Sequence, residues 1–214
     1  MGLFITFEGP EGSGKTTQIK KAGEYLRSRN ISCILTEEPG GTELGYTLRQ
    51  LLLNKSSINI VGKAELLLFA AARAQHVEEV ILPALGGGAI VLCDRFADAT
   101  IAYQGYGRGL NVEEIRWIND YSSRNLKPDR TLFFNLPVET GLNRAMGRIA
   151  QSAGSHTEDR FEGEELQFHR RVWEGYYTII KDEPERFRII NAARDIEQVF
   201  NDVCYHLDAV LSIK

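Results

Sequence analysis

One short stretch constrains this chain more than anything else in it. Gly9-Pro10-Glu11-Gly12-Ser13-Gly14-Lys15-Thr16 spells G-x-x-x-x-G-K-T, a loop whose backbone N–H groups cradle phosphates. The flanks fit the pattern. Leu3 to Phe7 is a short apolar run that predicts a buried strand, and Thr17 to Leu26 predicts the helix that follows. Strand, loop and helix N-terminus together make an anion site, because unpaired N–H groups and the helix dipole point at the same place. Gly9 through Thr17 are therefore the candidate nucleotide-phosphate residues. Lys15 is placed to reach the outer phosphates and the Thr16 hydroxyl to ligate magnesium. A chance glycine turn is the competing reading, and it leaves the flanking strand and helix unexplained.

The rest of the chain repeats the alternation. Ser32 to Thr36, Ala89 to Cys93, Thr131 to Asn135 and Phe187 to Ile190 read as four more strands. They are continuous apolar runs, as expected where both faces of a sheet are covered. Helical patterns fill the gaps at Leu44 to Leu53, Lys63 to Leu85, Val112 to Ser122, Val138 to Ile149, Glu164 to Lys181 and Ile196 to Leu211. This predicts a three-layer α/β fold in which a five-stranded parallel sheet is flanked by helices, with ligands at the carboxyl ends of the strands. Residues 1–214 read as one domain without repeats or linkers. The small, polar stretch near residues 148–160 reads as a mobile lid.

Composition excludes several alternatives. At 214 residues, with 43% hydrophobic and 25% charged side chains, the chain is long enough for one full core. A net charge of −4 argues against nucleic acid as a partner. No apolar stretch is long enough to span a membrane, and no signal peptide precedes the first strand. Met1 to Thr6 formally matches an acylation signal, but that segment is needed as a strand. Cys33, Cys93 and Cys204 have no metal spacing and read as reduced thiols, which points to the cytoplasm.

A phosphate loop alone serves GTPases, ATPases, sulfotransferases and small kinases. The Asn-Lys pair at Asn54-Lys55 lacks the aspartate of a guanine reader, which weakens the GTPase reading. A second anion site is visible instead. Arg95 follows Asp94 at the end of the third strand, and Arg49 lies on the helix after Pro39-Gly40-Gly41-Thr42. Arginines at strand ends suit a bidentate grip on a second phosphate. The bland readings are an internal ion pair for Asp94-Arg95 and a solvated helix face for Arg49. Phe69, Arg73 and His76 share one helix face at i, i+4 and i+7. An aromatic followed by an arginine could read a base. Spacing alone favours a core Phe69, a surface Arg73 and a structural His76.

Taken together these residues resemble the thymidylate kinase family. The matches are Phe7 to Thr17, Glu38-Pro39-Gly40-Gly41-Thr42, Leu48-Arg49 through Leu53, Phe69 to His76, Asp94-Arg95-Phe96, and Ala102-Tyr103-Gln104-Gly105 with Gly107-Arg108-Gly109. They run in the family's order from Leu3 to about Tyr177. The resemblance implies a P-loop kinase fold, a homodimer, a mobile lid, ATP with Mg2+ as donor and dTMP as acceptor, giving dTDP. On its motifs, Phe69 stacks on thymine and Arg73 bonds its exocyclic oxygen. Thr100 and Gln104 face the base edge, and Tyr103 favours deoxyribose. Arg49 and Arg95 hold the monophosphate, and Glu11 accepts from the sugar 3′-hydroxyl. Lys15 and Arg95 act in catalysis, Thr16 and Asp94 are the candidate metal ligands, and Arg144 belongs to the ATP side.

Some relatives carry an arginine directly after the loop carboxylate, where this chain has Gly12. The missing charge is expected from the lid, with Arg148 first by spacing, Arg144 second and Arg160 third. Glu37 stands where related sequences often have arginine. Another nucleoside-monophosphate kinase, or a nucleotide-binding switch without turnover, are the rival readings.

Overall fold

The computed structural model describes residues 2–54, 58–151 and 160–212, with backbone alone for 148–151. β1 (Leu3–Glu8) is followed by α1 (Lys15–Ser28), β2 (Cys33–Glu37), α2 (Glu43–Leu53) and α3 (Gly62–His76). A π-helical turn over Val77–Ile81 joins α3 to α4 (Leu82–Gly86), which leads into β3 (Ile90–Asp94). Next come α5 (Ala97–Thr100), a second π segment over Ile101–Gly107, and α6 (Val112–Ser123). β4 (Arg130–Asn135), α7 (Val138–Gln151), α8 (Leu166–Asp182), β5 (Phe187–Asn191) and α9 (Ile196–Leu211) follow.

The five strands make one sheet in the order β2-β3-β1-β4-β5, and every neighbouring pair is parallel. β1 is buried along its whole length, while the edge strands β2 and β5 are partly exposed. On one face, Ile5, Phe7, Leu92 and Phe134 pack with Leu26 of α1 and Val203 and Leu207 of α9. On the other, Phe4, Val91 and Phe96 pack with Val77 and Ile81, and Phe133 packs with Phe168, Val172 and Tyr176 of α8. These are the three expected layers, and continuous apolar strands are what two covered faces require.

The chain leaves β1 for β2 on one side and leaves β3 for β4 on the other. The connections therefore part between β1 and β3, where open parallel sheets bind their ligands. Register pairs Phe7 with Asp94, so the phosphate loop and Arg95 emerge side by side.

Two elements differ from expectation. The helix expected from Lys63 to Leu85 is interrupted by the π turn, because Pro83 has no N–H to bond the Glu79 carbonyl. The segment Ala97–Gly107 is helical although its glycines and missing 3.6 period argue against a helix. Tertiary contact overrides propensity here: a Cβ at Gly107 would lie 2.7 Å from the Phe168 ring, so the glycine lets α8 come close.

Gly12 has a packing reason. It sits at φ +68°, and a Cβ there would meet the Gly141 carbonyl oxygen at 2.1 Å. A Cβ on Gly141 would in turn meet the Glu11 carbonyl at 2.3 Å. The loop and α7 touch backbone to backbone, which leaves no room for an arginine at position 12. Gly141→Ala is expected to lower stability by about 1–3 kcal/mol despite the better helix former. Gly147→Ala on the same helix meets nothing within 4 Å and is expected to raise it by about 0.5–1 kcal/mol. Urea unfolding of both variants checks the pair, and an unperturbed Gly141→Ala would refute the close contact.

Candidate active site

The phosphate loop is wound tightly on itself. Gly14 caps α1 at φ +85°, and Ser13 Oγ donates to the Pro10 carbonyl at 2.8 Å. Lys15 Nζ lies back on the loop, donating to Gly9 O at 3.1 Å, Pro10 O at 2.9 Å and Ser13 Oγ at 3.3 Å. Burial, then the Arg95 charge, bring its ammonium down to about 8, against the pull of Asp94, Glu11 and Glu8. Thr16 Oγ1 donates to Asp94 Oδ2 at 3.0 Å, so the two candidate metal ligands are adjacent.

Arg95 occupies the left-handed region at φ +67°, an uncommon conformation for a residue with a side chain. Two backbone bonds hold it there: its own N–H to Phe7 O at 3.0 Å, and Phe96 N–H to Glu8 Oε1 at 2.7 Å. The guanidinium donates to Glu11 Oε1 at 2.6 Å, Gly9 O at 3.0 Å and Tyr176 Oη at 3.3 Å. It lies 4.9 Å over the Tyr103 ring, and Tyr103 Oη donates to Glu11 at 2.9 Å. Arg95 is therefore ion-paired with Glu11, not with Asp94. Burial alone would raise the Glu11 carboxyl, but Arg95, Lys15 and Tyr103 hold it at about 2. Beneath them Glu8 is fully buried. Burial and the nearby Asp98 push it up to about 8, although Arg95 and the Tyr176 hydroxyl, 2.8 Å away, pull it down.

Arg49 faces the same cleft rather than solvent. It donates to Pro39 O at 2.7 Å and pairs with Glu37 at 3.2 Å. That pairing accounts for Glu37: a carboxylate, not a second arginine, flanks this cation.

Phe69 stands at the cleft with its ring 6.2 Å from Phe161. Arg73 is not a surface residue but fully buried, with all three guanidinium nitrogens engaged. They donate to Glu38 Oε2 at 2.8 Å, Asn119 Oδ1 at 2.6 Å and Thr100 Oγ1 at 2.8 Å. His76 is structural as expected, set between Glu38 at 3.0 Å and Thr36 at 2.6 Å. Gln104 and Thr100 project from the helical segment that sequence reasoning missed.

Glu11 through Thr17, Arg49, Phe69, Arg73, Asp94, Arg95, Thr100, Tyr103 and Gln104 thus line one cleft. Gly9 and Pro10 lie behind it and hold Lys15 through their carbonyls. Arg144 is turned to the Ala192 carbonyl at 3.1 Å. Arg160 is bound to Leu52 O at 2.9 Å and Glu65 at 2.6 Å. The Arg148 side chain and most of the expected lid lie outside the described residues. The sequence reading missed Glu8, Glu38, Glu65 and Tyr176, buried polar groups that orient the site. A glutamate inside an apolar helical stretch, as in Ala64-Glu65-Leu66, was the available signal for one of them.

A phosphate loop, a second arginine-lined anion site and an aromatic slot on one parallel sheet define the class of P-loop nucleotide kinases. The sequence matches the family model for thymidylate kinase over residues 7–203. A thymidylate kinase of Syntrophus aciditrophicus is 53% identical over 98% of this chain and 96% of its own length. One of Nitratidesulfovibrio vulgaris is 51% identical over 98% of both chains. The crystal structure of thymidylate kinase from Ehrlichia chaffeensis superposes with a TM-score of 0.74 at 35% identity, covering 96% of this chain and 98% of that one. The chain belongs to the thymidylate kinase family.

The Lys15 environment gives a pH test. Its ammonium in the free protein is held at about 8, below the usual lysine value, and a triphosphate favours the charged form. Binding above that pH must therefore take up a proton. Nucleoside-triphosphate affinity is expected to be flat well below pH 8, to begin falling as pH 8 is approached, and to weaken by up to about ten-fold per pH unit above it. Calorimetry in two buffers of different ionisation heat measures the uptake. None at pH 8.5 would mean that Lys15 is already charged without nucleotide.

Proposed function

We propose that this cleft transfers the γ-phosphoryl group of ATP to dTMP, giving dTDP and ADP, with the residues above in specific roles. The observation that carries the reading is the pairing, in one cleft, of the phosphate loop with Arg95, Arg49 and the Phe69–Arg73–Gln104 slot. The loop takes the ATP phosphates, with Lys15 swung onto the outer ones. Arg95 and Arg49 exchange their carboxylates for the dTMP phosphate. Phe69 stacks on the base, Arg73 addresses its exocyclic oxygen, Thr100 and Gln104 face the base edge, and Tyr103 closes the 2′ side of the sugar. Glu11, kept ionised by its neighbours, accepts from the 3′-hydroxyl.

The nucleophile is a phosphate oxygen that is already ionised, so no general base is required. Rate enhancement rests on alignment and on neutralising charge at the transferred group. Thr16 and Asp94 offer adjacent hard oxygen donors, which fits a magnesium ion completed by phosphates and water. Bound there, magnesium would neutralise phosphate charge. Arg148, at the end of α7, is the proposed lid arginine, with Arg144 and Arg160 behind it.

The two rival readings, a different monophosphate kinase and a switch without turnover, are not favoured by relatives that are thymidylate kinases over nearly full length. We read residues 1–214 as one domain acting as a homodimer. The exposed apolar side chains Tyr46 and Leu67, on the adjacent helices α2 and α3, and Trp117 and Tyr121 on α6 support that assembly. Among the described residues no helix is long and apolar enough to cross a membrane, and we place the enzyme in the cytoplasm. A coupled ADP assay across dTMP, dUMP, dCMP, UMP and AMP tests the function. dTMP should lead, with dUMP behind by the worth of one methyl, about 1–3 kcal/mol. AMP or dCMP turned over faster than dTMP would defeat the reading.

Arg95 and Glu37 are expected to move the dTMP site in opposite directions. Arg95→Lys keeps charge but loses the fork, and bonds to charged groups are worth about 1.5–3 kcal/mol, so kcat/KM falls about ten-fold or more. Glu37→Gln frees Arg49 from a half-exposed pair worth about 0.2–1 kcal/mol, so KM for dTMP falls by up to about five-fold with kcat unchanged. Steady-state kinetics on both variants decides. An unaffected Arg95→Lys would make Arg95 a purely structural partner of Glu11.

Arg148→Ala is expected to lower kcat by about 10³-fold, the low end of arginine-finger effects, while dTMP affinity stays near normal. The same measurements on Arg144→Ala and Arg160→Ala complete the comparison. Near-normal kcat in all three would rule out charge neutralisation from the lid.

A further inference from the structure

Glu65 on α3 touches neither phosphate loop nor arginine clamp, yet it is completely buried. Its Oε2 takes Arg160 at 2.6 Å and Arg108 at 3.2 Å, and its Oε1 takes Arg108 Nε at 3.2 Å. Arg108 is also paired with Glu164 at 2.6 Å. The remaining partner is Gln104, whose Nε2 donates to Oε1 at 2.8 Å. A carboxylate bridged by two guanidiniums accepts and has no hydrogen to offer a further neighbour. The Gln104 amide therefore cannot be turned over without setting two acceptor oxygens against each other in a dry site.

We propose that Glu65 is a positioning residue for base selection: by fixing the Gln104 amide it leaves a hydrogen-bond acceptor for the base, and so admits thymine and rejects cytosine. The proposal rests on the reading of this cleft as the base site. Gln104 is buried at the cleft wall, and with its nitrogen committed to Glu65 the carbonyl oxygen is what remains for a ligand. Arg73, whose guanidinium has only donors, supplies the neighbouring position. The pair reads acceptor beside donor. Thymine presents N3–H beside the O4 acceptor and matches both. Cytosine presents a bare N3 beside an amino group and opposes both. Sites built on buried hydrogen bonds reject the wrong partner strongly, because its groups and theirs are left unpaired.

The test compares dTMP with 5-methyl-dCMP, which keeps ring, methyl, sugar and phosphate and differs only along this edge. Affinity by calorimetry and kcat/KM are measured for wild type, Glu65→Gln and Gln104→Met. In Glu65→Gln the new amide gives its oxygen to the arginines and its nitrogen to Gln104, which turns its own nitrogen to the base. The preference for dTMP over 5-methyl-dCMP is expected to fall by about ten-fold or more. A merely structural Glu65 would weaken both ligands alike, and an unchanged ratio overturns the proposal. Should Glu65→Gln not fold, Gln104→Met decides. Removing a fixed amide costs affinity for dTMP but not for 5-methyl-dCMP, whereas removing a freely turning amide costs both, which also overturns it. A wild type that uses 5-methyl-dCMP as well as dTMP defeats the base-site reading itself, and the proposal with it.

Discussion

The parallel pairing of β1 with β3 is the constraint on which this site depends. It sets Phe7 beside Asp94, and the next residues have nowhere to go but outward from the sheet at a shared edge. Gly9 begins the phosphate loop there. Arg95 turns back at φ +67° and bonds the backbone of Phe7, so its guanidinium reaches Gly9 and Glu11. The phosphate loop and the Arg95 side of the cleft are thereby fixed by one strand pair. A strained arginine is tolerated because Glu8, on the last residue of β1, takes the next backbone N–H.

Much of this was legible in the sequence because it is local. Apolar runs bounded by glycines give strands, and a glycine loop followed by Lys-Thr gives an anion site whatever surrounds it. The five strands, and the residues of the cleft named by motif, follow from such signals. What stayed hidden is set by distant contacts. Ala97–Gly107 has poor helix propensity and becomes helical because α8 packs against Gly107. Arg73 reads as a surface residue by spacing and is buried because Glu38, Asn119 and Thr100 arrive from three other elements. Gly12 reads as a lost arginine until Gly141 is found against it. Periodicity and propensity around these positions do not carry the information, since each depends on a partner far along the chain.

The arginines of the cleft show how a chain with net charge −4 builds a site for anions. A guanidinium buried without a partner costs several kcal/mol, so each is matched by a carboxylate of the chain itself. Exposure sorts these pairs into two kinds. Glu37–Arg49 is 39% and 35% exposed, and Glu11–Arg95 is 20% and 18% exposed. These pairs are open to water and to phosphate, and a dianion can displace the carboxylate at small net cost because one charged acceptor replaces another. Glu38–Arg73 is 4% and 2% exposed, and Glu65 is 0% exposed although its partners Arg160 and Arg108 are 19% and 21% exposed. These two carboxylates cannot lose their arginines without leaving a buried charge unpaired, and so they set orientation. The same residue types therefore do two jobs. Near the mouth, Glu37 and Glu11 hold Arg49 and Arg95 in place. In the interior, Glu38 and Glu65 fix the orientation of Arg73 and Gln104.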